Sequence, residues 1–148
     1  MDPARVYLGG HSTGGTVALL AAEYTDTFRA VFSFGPVDDP TGYGAEFAGF
    51  NTRDTKEVEI RSPGKWLGSI TSPTFVIEGS RQGNADCLDR MARTNTNPKV
   101  SFITVRGADH FSVLAPLNRV IAQKILADTG PTCAITLTAD EASAAAGR

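Results

Sequence analysis

A serine between glycines stands near the start of the chain, in the sequence GHSTG at residues 10–14. It follows an apolar run and precedes a helix-like pattern, the setting of a serine nucleophile on a sharp strand-to-helix turn. The glycines leave room for that turn, and the N–H of Thr13 faces the charge that develops on an attacked carbonyl oxygen. We predict Ser12 as nucleophile and Thr13 as oxyanion donor. The alternative is an ordinary glycine-rich turn, of the kind that binds phosphate.

His110 is the residue that could activate this serine. A serine hydroxyl is a weak nucleophile at neutral pH, so it needs an imidazole to take its proton and later to protonate the leaving group. Of the two histidines in the chain, His11 lies inside the glycine motif, where a structural role beneath the turn is expected. His110 follows a predicted strand and a glycine turn, and we predict it to be the general base. The alternative is a loop histidine that bonds to Asp109 or to solvent.

Strand-like and helix-like segments alternate along the chain. Short apolar runs bounded by Gly or Pro predict strands, and amphipathic stretches predict helices. The predicted strands are 5–9, 30–34, 74–78 and 100–105, and the predicted helices are 13–23, 56–61, 86–93 and 112–127. Strands that are apolar on both faces and alternate with helices indicate a parallel sheet between two helical layers. The predicted fold class is α/β, a three-layer sandwich with a mainly parallel sheet.

Three segments carry a resemblance to a known family. Residues 5–15, RVYLGGHSTGG, resemble the nucleophile elbow of α/β-hydrolases. Residues 62–79, SPGKWLGSITSPTFVIEG, are similar to the segment before the penultimate strand in the prolyl-oligopeptidase and dienelactone-hydrolase branch, and residues 107–111, GADHF, resemble its catalytic-histidine loop. The resemblance implies hydrolysis of an ester, thioester or amide bond in a small-molecule ester or peptide substrate, through an acyl-enzyme on Ser12. It implies no metal and no organic cofactor.

The resemblance also implies a third catalytic residue, an acid between the serine and the histidine. The acid usually lies three residues past a glycine that matches Gly79, but Gln82 occupies that position and cannot serve. The longer loop here makes Asp86 the first choice, although an aspartate at the start of a helix also serves as an N-cap without any catalytic role. Glu78, at the end of its strand, is a second candidate. The pair that follows the second strand, Asp38 and Asp39, is a third.

The domain organisation expected from the resemblance is incomplete. Residues 1–130 correspond to the carboxyl-terminal part of an α/β-hydrolase catalytic domain, and residues 131–148 are expected to form a partly disordered tail. The elbow strand begins almost at Met1, so the fold is expected to lack its first strands and the second oxyanion donor. The elbow strand would then expose its edge, which favours self-association or a partner chain. The alternative function is therefore a truncated or non-catalytic hydrolase-like module that needs a partner.

Composition excludes several other classes of protein. The chain has 148 residues and a formal net charge of -2, and its 14 Lys and Arg are scattered among 16 Asp and Glu, so no basic stripe predicts nucleic-acid binding. No apolar run is long enough to span a membrane, and the start has no signal-like segment, so a cytoplasmic location is expected. The two cysteines, Cys87 and Cys133, lack the spacing of metal ligands.

Overall fold

Four parallel strands form one sheet in the computed structural model, which describes residues 2–44 and 46–147; Met1, Ala45 and Arg148 lie outside the described residues. The strands are β1 (Tyr7–His11), β2 (Ala30–Phe34), β3 (Thr74–Gly79) and β4 (Val100–Val105), and their order in space is their order in the chain. All three strand pairs are parallel. The predicted parallel sheet is therefore confirmed, with the first strand two residues later than predicted.

Helices connect and cover these strands. The helices are α1 (Thr13–Tyr24), α2 (Thr55–Ile60), α3 (Ala85–Thr94), α4 (Leu114–Ala127) and α5 (Ala139–Ala145). Short 3-10 segments lie at Pro3–Arg5, Pro40–Tyr43, Pro63–Lys65 and Leu67–Ser69. Among the described residues, no helix is both long and apolar enough to cross a membrane.

Two apolar cores lie on opposite faces of the sheet, which makes the fold a three-layer sandwich. On one face, side chains of α1 and α3 such as Leu19, Leu88 and Met91 pack against the strands. On the other face, Leu117 and Ile121 of α4 join residues of α5 and of the segment before it. Strands buried on both faces explain why β2 and β3 are almost continuously apolar in the sequence.

Part of the chain after residue 131 packs against the sheet. Ile135 and Leu137 lie outside any helix or strand, but both side chains are buried in the core beside α4. The alanine-rich segment that follows forms α5, which packs against β4. Its buried Ser143 accepts a hydrogen bond from the backbone N–H of Arg106 at 3.0 Å. Tertiary packing of small residues stabilises a helix too short to be stable alone.

A buried ion pair lies at the amino-terminal end of the sheet. Arg29, just before β2, donates to both oxygens of Asp128, at 2.6 and 3.0 Å, and Asp128 also accepts from the hydroxyl of Tyr7 at 2.8 Å and from the N–H of Ala134 at 3.1 Å. The hydrogen bond from Arg29 holds the pKa of Asp128 well below its usual range. These contacts join β1, β2 and the segment after α4.

Candidate active site

The turn between β1 and α1 holds Ser12 in a strained conformation. Its backbone angles, φ 57° and ψ -120°, lie in a region that side-chain-bearing residues rarely occupy. A Cβ on Gly10 would lie 2.0 Å from the carbonyl oxygen of Gly14, and one on Gly15 would lie 2.4 Å from that of Phe34, so glycine is required at both positions. The Ser12 side chain makes no capping hydrogen bond to α1, which leaves its Oγ available for chemistry.

Thr13 is the first residue of α1, so its backbone N–H lies at the helix start. The first N–H groups of a helix have no acceptor within the helix, and the helix dipole makes that end partially positive. The helix ladder starts with the bond from the N–H of Thr16 to the carbonyl oxygen of Ser12, at 3.0 Å. A negative charge developing next to Ser12 would therefore meet a hydrogen-bond donor from the turn itself.

A buried carboxylate holds the imidazole of His110. The Nδ1 of His110 lies 2.8 Å from Oε2 of Glu78, and the two side chains are 13% and 1% exposed. Glu78 also accepts from the backbone N–H groups of Gly79, at 2.7 Å, and Asn84, at 3.0 Å. A carboxylate with these partners is an acceptor, so Nδ1 carries the proton and Nε2 is left free to accept one.

Glycines make the close packing around this pair possible. Gly35 and Gly83 both have positive φ angles, of 56° and 94°. A Cβ on Gly35 would lie 2.4 Å from Cε1 of His110 and 2.7 Å from Oε2 of Glu78, and one on Gly83 would lie 2.8 Å from Cβ of His110. Any larger residue at either position would push the imidazole away from its carboxylate. The contact between Glu78 and His110 therefore requires glycine at both positions.

The loop that carries His110 is held by its own hydrogen bonds. Oδ1 of Asp109 accepts from the backbone N–H groups of Phe111, at 3.0 Å, and Ser112, at 2.9 Å, and the hydroxyl of Ser112 accepts from the N–H of Asp109 at 2.9 Å. These bonds lower the pKa of Asp109. The Asp109 carboxylate therefore accepts hydrogen bonds from the backbone, and the imidazole of His110 bonds to Glu78 instead.

The first-choice acid, Asp86, does not meet the histidine in the structure. Helix α3 begins one residue before it, with Asn84 in the N-cap position, and within the part of the chain described here Asp86 makes no hydrogen bond to His110. The physical reason is the path of residues 80–84, which fold back so that Gly83 lies against His110 and the backbone N–H of Asn84 donates to Glu78. The second candidate, Glu78, is the carboxylate brought to the imidazole.

The third candidate for the acid, the pair Asp38 and Asp39, makes other contacts. Asp38 forms a two-point ion pair with Arg90, at 2.7 and 2.8 Å, and this pairing lowers the pKa of Asp38. Oδ1 of Asp39 accepts from the N–H and the hydroxyl of Thr41, at 2.8 and 2.7 Å, and so starts the 3-10 segment Pro40–Tyr43.

His11 lies beside His110. Its Nε2 is 2.9 Å from the backbone carbonyl oxygen of His110, and the two ring centroids are 4.4 Å apart. This contact brings the histidine loop next to the residue that precedes Ser12. Among the described contacts, Oγ of Ser12 has no hydrogen bond to the ring of His110. Catalytic hydrogen bonds often tighten only when substrate binds, so this does not remove Ser12 from the site.

An apolar cavity adjoins the site along the open edge of β1. It has a volume of about 480 Å³ and lies between β1 and α4. Its lining includes His11, Phe34, Leu114, Asn118 and Ile121. Within the described residues β1 pairs with β2 alone, and β1 and α4 both line the cavity.

Solved structures similar to this chain are α/β-hydrolases. A Mycobacterium tuberculosis puromycin-hydrolyzing peptidase is 25% identical, with a TM-score of 0.61 over 74% of this chain and 19% of that one. A Pyrococcus horikoshii acylaminoacyl peptidase is 14% identical, with a TM-score of 0.70 over 95% of this chain and 26% of that one. Porphyromonas gingivalis dipeptidyl peptidase 4 is 17% identical, with a TM-score of 0.66 over 85% and 19%.

These similarities confirm the α/β-hydrolase fold that the glycine motif predicts, and the resemblance to the peptidases of the prolyl-oligopeptidase branch. The chain spans about a fifth to a quarter of the length of these structures. No protein-family model and no curated protein matches the sequence.

Proposed function

We propose that the chain is a serine hydrolase that cleaves an ester, thioester or amide bond through an acyl-enzyme on Ser12. The observation that carries the proposal is the buried Glu78–His110 pair, 2.8 Å apart, at the same end of the sheet as the strained Ser12 turn. A buried carboxylate on Nδ1 fixes the tautomer in which Nε2 is a base, and it stabilises the imidazolium that forms during reaction. Glu78 replaces Asp86 as the proposed acid.

The first half of the proposed reaction forms the acyl-enzyme. Oγ of Ser12 attacks the carbonyl carbon while Nε2 of His110 takes the hydroxyl proton, and the N–H of Thr13 donates to the new oxyanion. As the oxyanion collapses, the bond from carbon to the leaving oxygen, sulfur or nitrogen breaks. His110 gives its proton to the leaving group, and the acyl group stays on Ser12.

The second half of the reaction releases the acid. A water molecule attacks the acyl carbon, and Nε2 of His110 takes a proton from that water. When the second tetrahedral intermediate collapses, the bond to Ser12 breaks and His110 returns the proton to the serine oxygen. The carboxylic acid product leaves, and the residues return to their starting protonation states. Glu78 acts through His110 alone.

Esters are the first substrates to test, although the similar structures are named as peptidases. An alcohol or phenol leaves a tetrahedral intermediate more readily than an amine does, so an ester makes the smaller demand on the site. The puromycin-hydrolyzing peptidase and dipeptidyl peptidase 4 are named as peptidases, and we propose amide cleavage by this chain as the second reaction to test.

The proposal is tested by labelling the purified chain with a fluorophosphonate probe, which reacts with activated serines. We expect one covalent label per chain, lost in Ser12→Ala and in His110→Ala but retained in Asp86→Asn. Circular dichroism of each variant shows whether it is folded. A folded parent chain that takes no label, or a label that survives in Ser12→Ala, would reject the proposal.

A second candidate function is a non-catalytic module that binds another chain along β1. The observation that favours it is the edge of β1 beside the apolar cavity of about 480 Å³, which pairs with no strand of the described residues, because an open strand edge can pair with a strand from elsewhere. Size-exclusion chromatography with light scattering on the labelled sample distinguishes the enzyme from the binding module. A labelled monomer rejects the module, whereas an unlabelled chain that is folded only within a complex supports it.

A further inference from the structure

The histidine that precedes the nucleophile makes a directed contact with the proposed base. Nε2 of His11 lies 2.9 Å from the carbonyl oxygen of His110. A carbonyl oxygen only accepts hydrogen bonds, so Nε2 of His11 must carry the proton and donate it. Because that nitrogen is occupied, it cannot take a proton from Ser12, and His11 is therefore not a second general base through Nε2.

Ring packing surrounds the same hydrogen bond. The rings of His11 and His110 lie 4.4 Å apart at 43°, and the ring of Phe111 packs edge-on against both, at 5.4 and 5.1 Å. Two kinds of contact, a hydrogen bond and the packing of tilted and edge-on rings, could thus hold the histidine loop against the end of β1. They predict different outcomes when only one of them is removed.

The hydrogen bond gives His110 a second anchor on a different strand. Glu78, at the end of β3, holds the side chain through Nδ1, and His11, at the end of β1, holds the backbone through the carbonyl oxygen. Since Ser12 directly follows His11, the second anchor ties the proposed base to the proposed nucleophile. The internal bonds of the loop, from Asp109 to Phe111 and Ser112, are separate and would remain without it.

From these contacts we infer that His11 is a positioning residue whose Nε2 proton holds His110 in register with Ser12. This inference rests on the proposed function, since it assigns His11 a role in the reaction of Ser12. The loop keeps its own hydrogen bonds without His11, so the loss of the anchor acts on the rate of acylation more than on folding. A misplacement of about 1 Å at such a site lowers the rate by up to about 10²-fold.

Two matched variants separate the hydrogen bond from the ring. His11→Gln keeps an N–H donor and removes the ring, whereas His11→Phe keeps an aromatic ring and removes the donor. We expect His11→Phe to be labelled by the fluorophosphonate up to about 10²-fold more slowly at saturating probe, with an unchanged half-saturating concentration, and His11→Gln to stay within a few-fold of the parent. His11→Leu replaces His11→Phe if the larger ring prevents folding.

Crystal structures of the same variants give a readout that needs no activity. We expect the carbonyl and ring of His110 to be displaced from Ser12 in His11→Phe and to keep their place in His11→Gln. The inference is overturned if His110 stays in place without the donor, if His11→Phe labels at the parent rate, or if His11→Gln is the more impaired variant. If the parent chain takes no label, the proposed function fails, and the displacement of His110 alone decides the inference.

Discussion

Each end of the sheet buries one carboxylate, and the two are held in different ways. At the amino-terminal end, Asp128 is neutralised by the guanidinium of Arg29 and also bonded to the hydroxyl of Tyr7. At the carboxyl end, Glu78 has two backbone N–H groups and the imidazole of His110, and no Lys or Arg partner among the described contacts.

A buried carboxylate can stabilise the structure or support a reaction, depending on its partner. A permanent cation fixes the charge of Asp128, so that this pair can contribute only to structure. A neutral imidazole carries both a proton donor and a proton acceptor nitrogen, so the Glu78–His110 pair can support a reaction in which the positive charge appears only briefly. The comparison predicts that substitutions at the carboxyl end reduce the rate of acylation, while substitutions at the amino-terminal end reduce stability.

The largest effect is expected for Glu78→Gln. The amide has nearly the shape of the carboxylate, but it cannot stabilise an imidazolium and it favours the wrong tautomer of His110. We expect the labelling rate to fall by about 10⁴-fold. A quenched time course of labelling with the fluorophosphonate measures this rate. Asp86→Asn is the matched control, because it removes a carboxylate from the same region without touching His110. Equal losses in the two variants would contradict the assignment of Glu78.

A loss of stability is expected for Asp128→Asn. Removing one partner of a buried ion pair leaves the guanidinium of Arg29 without its charge partner, and we expect the thermal midpoint to fall by roughly 10 °C. The label on Ser12 should form at the parent rate at a temperature where both proteins are folded. Differential scanning calorimetry measures the midpoint. A variant of unchanged stability with slower labelling would reverse the contrast between the two ends of the sheet.

The same pair predicts how the parent chain responds to acid. The pKa of Asp128 is lowered by folding, so its contribution to stability is present above the unfolded-state pKa of about 4 and is lost as the pH falls below it. The thermal midpoint of the parent should therefore drop between about pH 4 and pH 2 more steeply than that of Asp128→Asn. Parallel curves for the two proteins would show that Asp128 is not the group responsible.

The smallest effect concerns Glu23 of α1, a third carboxylate. Neither of its oxygens has a hydrogen-bond partner among the described residues, and burial raises its pKa to about 8. A raised pKa means that stability falls as the pH rises from the unfolded-state value towards 8. We expect the free energy of unfolding of Glu23→Gln to gain about 1–3 kcal/mol relative to that of the parent as the pH rises from 5 to 8. Urea unfolding at the two pH values measures it, and a gain independent of pH would contradict this explanation.

Ser12 and His110 could be chosen from the sequence because local rules place them. The structure requires glycine at 10 and 15 but leaves open space at Gly14, so the motif is recognised through part of its pattern, and a strand followed by a glycine turn puts His110 at the same end of the sheet. The parallel sheet also followed from local patterns, because strands buried on both faces are recognisable as apolar runs between helices.

The carboxylate partner of His110 could not be chosen in this way. It depends on how residues 80–84 fold back, with positive φ angles at Gln82 and Gly83, and this bend brings the N–H of Asn84 to Glu78. One signal was present: Glu78 is a charged residue at the end of a strand that is otherwise buried, and such a charge requires a partner. Helix α5 was missed for a similar reason, because an alanine-rich segment is ordered here by packing against β4.

Ser12 is proposed to carry the acyl group, which it receives with the help of His110. The most direct test is to mix the chain with p-nitrophenyl acetate, quench the mixture with acid, and locate the acetyl group by peptide mass spectrometry. We expect the acetyl group on the peptide that contains Ser12, and its absence in Ser12→Ala and His110→Ala. An acetyl group on another residue, or none on a folded chain that hydrolyses the ester, would contradict the account.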